Sequence, residues 1–184
     1  VGDCAMAASG CEICYFDDRW PMLGVCGPWP VVGTGESFFT EAEMGGQAFV
    51  AIGNVATRLA WLHRLKAAGI SVATVIHPRS VISPHAVIGE GVLVVAGVVN
   101  INARLGLGCI INTAATVDHD CVLDDGVHVS PGAHLAGDVQ VGKSSWLGIG
   151  CVVRQGIRIG DRVTVGAGAV VVADVPDGLT VVGV

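Results

Sequence analysis

The sequence predicts a two-part chain: a small α/β unit over residues 1–74, then a parallel β-helix over residues 75–184. Three observations predict it. Short apolar runs alternate with helix-spaced leucines through the first part. From Val75 a six-residue aliphatic repeat takes over. The 27 glycines among 184 residues are scattered rather than clustered, as a chain with many tight turns requires.

The first part reads as helix and strand in turn. "VGDCAMAAS" has the look of a helix tail, and "CEICYFDD" of a strand ending in Asp17 and Asp18. "QAFVAIGN" is a second apolar strand, closed by Gly53 and Asn54. "VATRLAWLHRLKAAG" follows, with Leu59, Leu62 and Leu65 at helical spacing and Gly69 as a stop. "SVATVIHP" is a further strand. Such alternation suggests a parallel α/β unit, whose ligands lie beyond the carboxyl ends of its strands. Asp17, Asp18, Gly53 and Asn54 all fall at such ends.

From Val75, steps of six land on Val75, Val81, Val87, Leu93, Val99, Leu105 and onward to Val165 and Val171, and all seventeen positions are aliphatic. With about a third of local residues Val, Ile or Leu, chance gives this on the order of 10⁻⁸ of the time, so the period is a structural repeat. Positions two before these are mostly small, including Cys109, Ala115, Cys121, Ala133 and Cys151. Positions three after are rich in Gly, Asn and Pro, as corners demand. Each unit therefore supplies one short strand and one corner. Three units close a triangular turn of 18 residues. The faces of the prism carry aliphatic residues beyond what one interior uses, as in "VVNI" and "GCIIN", so side-by-side association into a trimer is expected.

Composition narrows the function. A net charge of −6 and a pI near 5.3 leave no basic footprint for nucleic acid. No apolar run approaches the ~20 residues of a membrane span. No signal peptide is read, although the chain starts at Val1 without a methionine. Seven cysteines form no scaffold pattern, and Cys11 and Cys14 would point to opposite faces of a strand. Buried free thiols in a reducing cytoplasm are the expectation.

The segment "TVDHDCVLDDGVHVSPGAHLAGDVQVG" carries the candidate chemistry. His119 lies two after an inward position, hence near a corner on the outside. One turn on is Gly137, and a further turn brings Gln155. A glycine beside an imidazole leaves its backbone N–H approachable, which suits a developing oxyanion. Asp120 is placed to orient the ring and raise its basicity. His128 falls half a turn away, so within one subunit it need not face His119, and a subunit boundary is where the two could meet. Two other readings stand beside this one: solvated surface histidines, or a metal held by histidines between subunits. Against the metal, His128 and His134 lie on adjacent faces and diverge, and no metal is expected. His63, His77 and His85 read as structural.

These features together, with the closing "VGAGAVVVADVPDGLTVVGV", resemble the bacterial sialic acid O-acetyltransferase and nucleotide-sugar N-acetyltransferase family. The resemblance covers essentially the whole chain. It implies a Rossmann-like nucleotide-sugar-binding unit over 1–74 and a left-handed β-helix acetyltransferase domain over 75–184. It further implies acetyl-CoA as co-substrate and a homotrimer with active sites between neighbouring prisms. Carried over by motif, His119 matches the catalytic base and Asp120 the residue that tunes it. His128, Gly137, Ile149 and Ala167 match acetyl-CoA positions, while Asp17, Asp18, Gly53 and Asn54 match positions that hold the nucleotide sugar. The family opens with a strand and a glycine-rich loop that would precede Val1, and it continues beyond "VVGV" with a proline and a short tail. The expected reaction is direct attack of a sugar amine on the thioester, as in surface polysaccharide or glycan biosynthesis. O-acetylation of a sugar such as sialic acid is the alternative on the same scaffold. A non-catalytic assembly platform is a third reading, and it would bind no acetyl-CoA.

Overall fold

A computed structural model describes residues 1–40 and 46–183. The first part contains helices α1 (Gly2–Ser9), α2 (Gly35–Thr40) and α3 (Val55–Ala67). Among the described residues it also holds three short strands, β1 (Tyr15–Phe16), β2 (Val25–Cys26) and β3 (Trp29–Gly33). β1 runs parallel to β3, and β2 antiparallel to it. Two expected strands shrink here. "QAFVAIGN" and "SVATVIHP" meet only in a parallel bridge between Ala48 and Val72, and only Val75–Ile76 of the second becomes a strand, inside the prism. The expected helix 55–69 is present and buries Leu62 and Leu65. Its N-cap is Asn54, whose side-chain oxygen accepts from the Thr57 amide at 3.0 Å.

The second part is a left-handed parallel β-helix of three sheets, with seven, six and five strands. The seven-stranded sheet includes Ile110–Ile111, His128–Val129 and Trp146–Leu147. The six-stranded sheet includes Thr116–Val117 and His134–Leu135, and the five-stranded one Val122–Leu123 and Gln140–Val141. From Val99 onward the expected inward column holds: Val99, Ile111, Val117, Val129, Leu147 and Val153 are all fully buried. The small column holds too. Cys109, Cys121 and Cys151 are buried, with burial pushing the thiols up to about 12, about 11 and about 11. They are packing residues.

The first coil departs from the six-step frame. Val81 and Val87 are 63% and 52% exposed, because Ile76, Ile82, Ile88 and Val94 are the residues that pair with the inward column. Val94 and Val99 are both inward and only five apart, so one residue is missing from that unit. The sequence runs Val-Ile, Val-Ile, Leu-Val at those strands, so either phase reads aliphatic. Leu93 instead faces outward, into a cluster with Cys4, Val75 and Ile110. That cluster seats α1 on the seven-stranded sheet.

Each corner from Gly91 to Gly168 ends on a left-handed residue, a glycine at 91, 108, 126, 132, 150, 156 and 168. At the His119 corner the left-handed residues are Asn102, Asp120, Asp138 and then Gly156, the first three being of the types that tolerate this conformation best after glycine. Three corner columns result. One carries Asn102, Asp120 and Asp138; a second carries Gly108 and Gly126; the third carries Gly132, Gly150 and Gly168.

Candidate active site

His119 and Gly137 share the first column, at the junction of the six- and five-stranded sheets. The His119 carbonyl accepts from the Asp138 amide at 2.9 Å, which stacks the two corners directly. The imidazole leans over the next coil, and a Cβ on Gly137 would overlap its Cε1 and Nε2 and reach Nδ1 at 3.0 Å. Only glycine leaves room for the ring in this position.

The ring is fixed by carboxylates. Nδ1 donates to Asp120 Oδ2 at 2.8 Å, and the other Asp120 oxygen accepts from Asn102 Nδ2 at 2.9 Å. An ionised carboxylate only accepts, so the proton sits on Nδ1 and Nε2 is left as the basic nitrogen. The Asp120 hydrogen bond, with Asp118 and Asp138 nearby, raises the His119 pKa above its ordinary value. The same bond lowers that of Asp120. Asp118 anchors the backbone, accepting from the His119 amide at 2.8 Å and from Asn100 at 2.7 Å. One coil on, Ala136 replaces Asp118 in the stack, and among the described residues the Gly137 N–H has no acceptor. A basic nitrogen and an unpaired peptide donor are therefore neighbours at one corner.

The remaining expected residues lie elsewhere on the prism. His128 is on the outer face of the seven-stranded sheet, opposite the His119 corner. Its ring stacks on Trp146, with centroids 5.5 Å apart and planes 6° from parallel, and Asn112 donates to its Nε2 at 3.3 Å. Burial, aided by Arg58, lowers its pKa to about 4, so it is neutral at physiological pH. Ile149 and Ala167 stack in the third column, with Ile149 62% exposed. His134 is on the six-stranded sheet beside Thr116 Oγ1, 2.9 Å away, diverging from His128 as the period requires. Among the described residues no three His, Cys, Asp or Glu side chains cluster as metal ligands.

Gly53 and Asn54 meet His128 in a cavity of about 130 Å³, which Val55, Ser144 and Trp146 also line. Asp17 and Asp18 are not part of it. Asp17 is held by Arg19 through two side-chain bonds, which lower its pKa to about 2. Asp18 accepts from the first amide of α2, that of Gly35, at 3.0 Å. Trp146 and Arg58 were missing from the sequence reading. A step of 18 from His128 lands on Trp146, so the period could have found the first.

The profile of the bacterial transferase hexapeptide family (six repeats) matches residues 138–173. The acetyltransferase domain of PglB from Neisseria gonorrhoeae, solved with acetyl coenzyme A, is 43% identical over 98% of this chain and 88% of that one, with a TM-score of 0.94. The chain belongs to the hexapeptide-repeat acetyltransferases of the nucleotide-sugar family. It is thus an acyltransferase by family. A histidine-to-asparagine variant of perosamine N-acetyltransferase from Caulobacter crescentus, solved with CoA and GDP-perosamine, is 40% identical over 92% of this chain and 81% of that one, with a TM-score of 0.88. Serine acetyltransferase from Synechococcus elongatus is 35% identical over 81 residues, 43% of this chain, and the match spans only about a third (33%) of that relative's length. No helix among the described residues is long and apolar enough to cross a membrane.

Proposed function

We propose that this chain transfers the acetyl group of acetyl-CoA to the amine of a nucleotide-linked 4-amino sugar, in the assembly of a surface polysaccharide or glycan. One observation carries the reading: the His119 ring, with its basic Nε2, packs against Gly137, whose amide has no acceptor among the described residues. The solved relatives that bind acetyl coenzyme A, or CoA with GDP-perosamine, support the choice of donor and acceptor.

The chemistry follows from these two groups. The amine attacks the thioester carbonyl while neutral His119 takes its proton. The Gly137 N–H donates to the carbonyl oxygen as negative charge builds there. Collapse of the tetrahedral species breaks the C–S bond, and the His119 proton goes to the departing thiolate. Products are the acetamido sugar and CoA. No acyl-enzyme is needed, since the prism cysteines point inward.

His119 and Gly137 occupy one corner, His128 the opposite face, and Ile149 with Ala167 a third position. A single prism cannot wrap one acetyl-CoA with all of them. A homotrimer, with each site shared by two prisms, reconciles the carried-over positions. In this reading residues 1–74 hold the nucleotide through Gly53 and Asn54 in the cavity, with Asp17 and Asp18 as further substrate contacts outside it. Residues 75–184 perform the transfer. The seven cysteines are free, consistent with a cytoplasmic enzyme.

The test is an acetyl-transfer screen with uridine-, guanosine- and thymidine-linked 4-amino sugars, beside free amino sugars and sialic acid. Turnover on one nucleotide-linked amine, well above the others, supports the reading. Turnover confined to hydroxyl acceptors contradicts it.

A further inference from the structure

Arg58, on α3, is 1% exposed and sits at the seam between the two parts of the chain. Its Nε donates to the Gly108 carbonyl and its Nη2 to that of Gly126, both at 3.0 Å. Its Nη1 donates to Ile52 O at 3.0 Å and Gly53 O at 2.8 Å. Among the described residues no carboxylate pairs with it.

The corner geometry explains two of these partners. The coil-to-coil ladder uses the carbonyl of the first corner residue, as when the Gly126 amide donates to Leu107 O. The second corner residue keeps a spare carbonyl, and Arg58 takes two of these, one from each coil. Glycine at 91, 108 and 126 lets α3 lie close along this column, where Val55, Leu59 and Leu62 approach the backbone. The glycine run stops at Ser144, and there the cavity lined by Gly53, Asn54, His128 and Trp146 opens.

A buried cation with no counter-ion is an expensive way to pack a helix, and an apolar side chain does that more cheaply. The planar fork does something an apolar group cannot. It holds the 52–53 backbone at a set distance from two prism corners.

We propose that Arg58 is a positioning residue: it ties the 52–54 segment to the second corner column so that Gly53–Asn54 and the His128–Trp146 stack form one ligand wall. The ligand assignment rests on the nucleotide-sugar reading above, whereas the tie itself does not.

The experiment uses the full chain with Arg58→Met and Arg58→Lys, read by hydrogen exchange and by steady-state kinetics. Lysine keeps the charge and stem but cannot span four carbonyls, and it carries the test should the methionine variant fail to fold. Peptides covering residues 46–57 are expected to exchange about tenfold faster or more, with those of the prism unchanged. KM for the nucleotide-linked amino sugar rises about tenfold, while kcat and the KM for acetyl-CoA stay within about twofold. Unchanged exchange in 46–57 overturns the proposal. So does a uniform rise in exchange with kcat and both KM values falling off together, the mark of a general folding role. If Arg58→Lys loosens 46–57 but wild-type protein turns over no nucleotide-linked sugar, the tie stands and the substrate reading falls.

Discussion

The imidazole of His119 lies against the Cα of Gly137, one coil away, so closely that a methyl group on Gly137 would displace it. This packing puts the ring's basic nitrogen beside a corner amide, that of Gly137, which has no acceptor among the described residues because Ala136 stands in the place of Asp118. The Gly137 backbone is not left-handed, so alanine is tolerated by the chain itself. Gly137→Ala should then lower kcat by about 10²-fold through misplacement of the base, with little change in Tm. Thermal melts and initial rates on the same preparation check this.

The pH profile follows from the carboxylates around His119. The ring must be neutral to accept a proton, and its pKa is raised above 6.5 by Asp120 first and then by Asp118 and Asp138. Activity should be low at acid pH and rise through a limb above 6.5. Asp120→Asn removes the main cause, so the limb moves to lower pH while the plateau drops by about 10²-fold. A plateau loss with an unmoved limb would mean that another group sets the profile.

His128 behaves oppositely. Its pKa is lowered to about 4 by burial, so it carries no charge at neutral pH. Its ring resonances should show no titration from roughly pH 5.5 upward, whereas those of His119 titrate above the ordinary histidine value. Trp146→Ala opens the stacked face and should move the His128 pKa back toward 6.5.

The one-residue slip in the first coil has its own test. Val87→Thr, on an exposed strand position, should change stability by less than about 0.5 kcal/mol. Ile88→Thr, packed against the core, should cost about 1–2 kcal/mol by burying a hydroxyl. An uninterrupted six-step frame from Val75 predicts the reverse order.

The prism was legible in the sequence because its strands are one residue deep on the inside. A single aliphatic per unit, repeated at six, fixes coil number, corner position and the stacking of His119 on Gly137. The slip near Val94 was not legible, since neighbouring aliphatics satisfy both phases. The N-terminal strands were overcalled for a related reason. Apolar runs such as "QAFVAIGN" record burial, yet here they are buried against α3 with only one bridge to a neighbouring strand. Arg58 was invisible because an arginine on a helix normally points to water, and its four acceptors come from segments up to 68 residues away. Asn54 shows a further limit: the residue that matched a ligand position also caps α3, and sequence cannot separate the two roles.

The most direct measurement is kcat for His119→Ala, taken with acetyl-CoA affinity by calorimetry on the same protein. A fall in kcat of about 10²–10⁴-fold, with acetyl-CoA binding and Tm close to wild type, is the predicted result. A variant that retains kcat within about threefold of wild type would remove His119 as the base and, with it, the chemistry assigned to this corner.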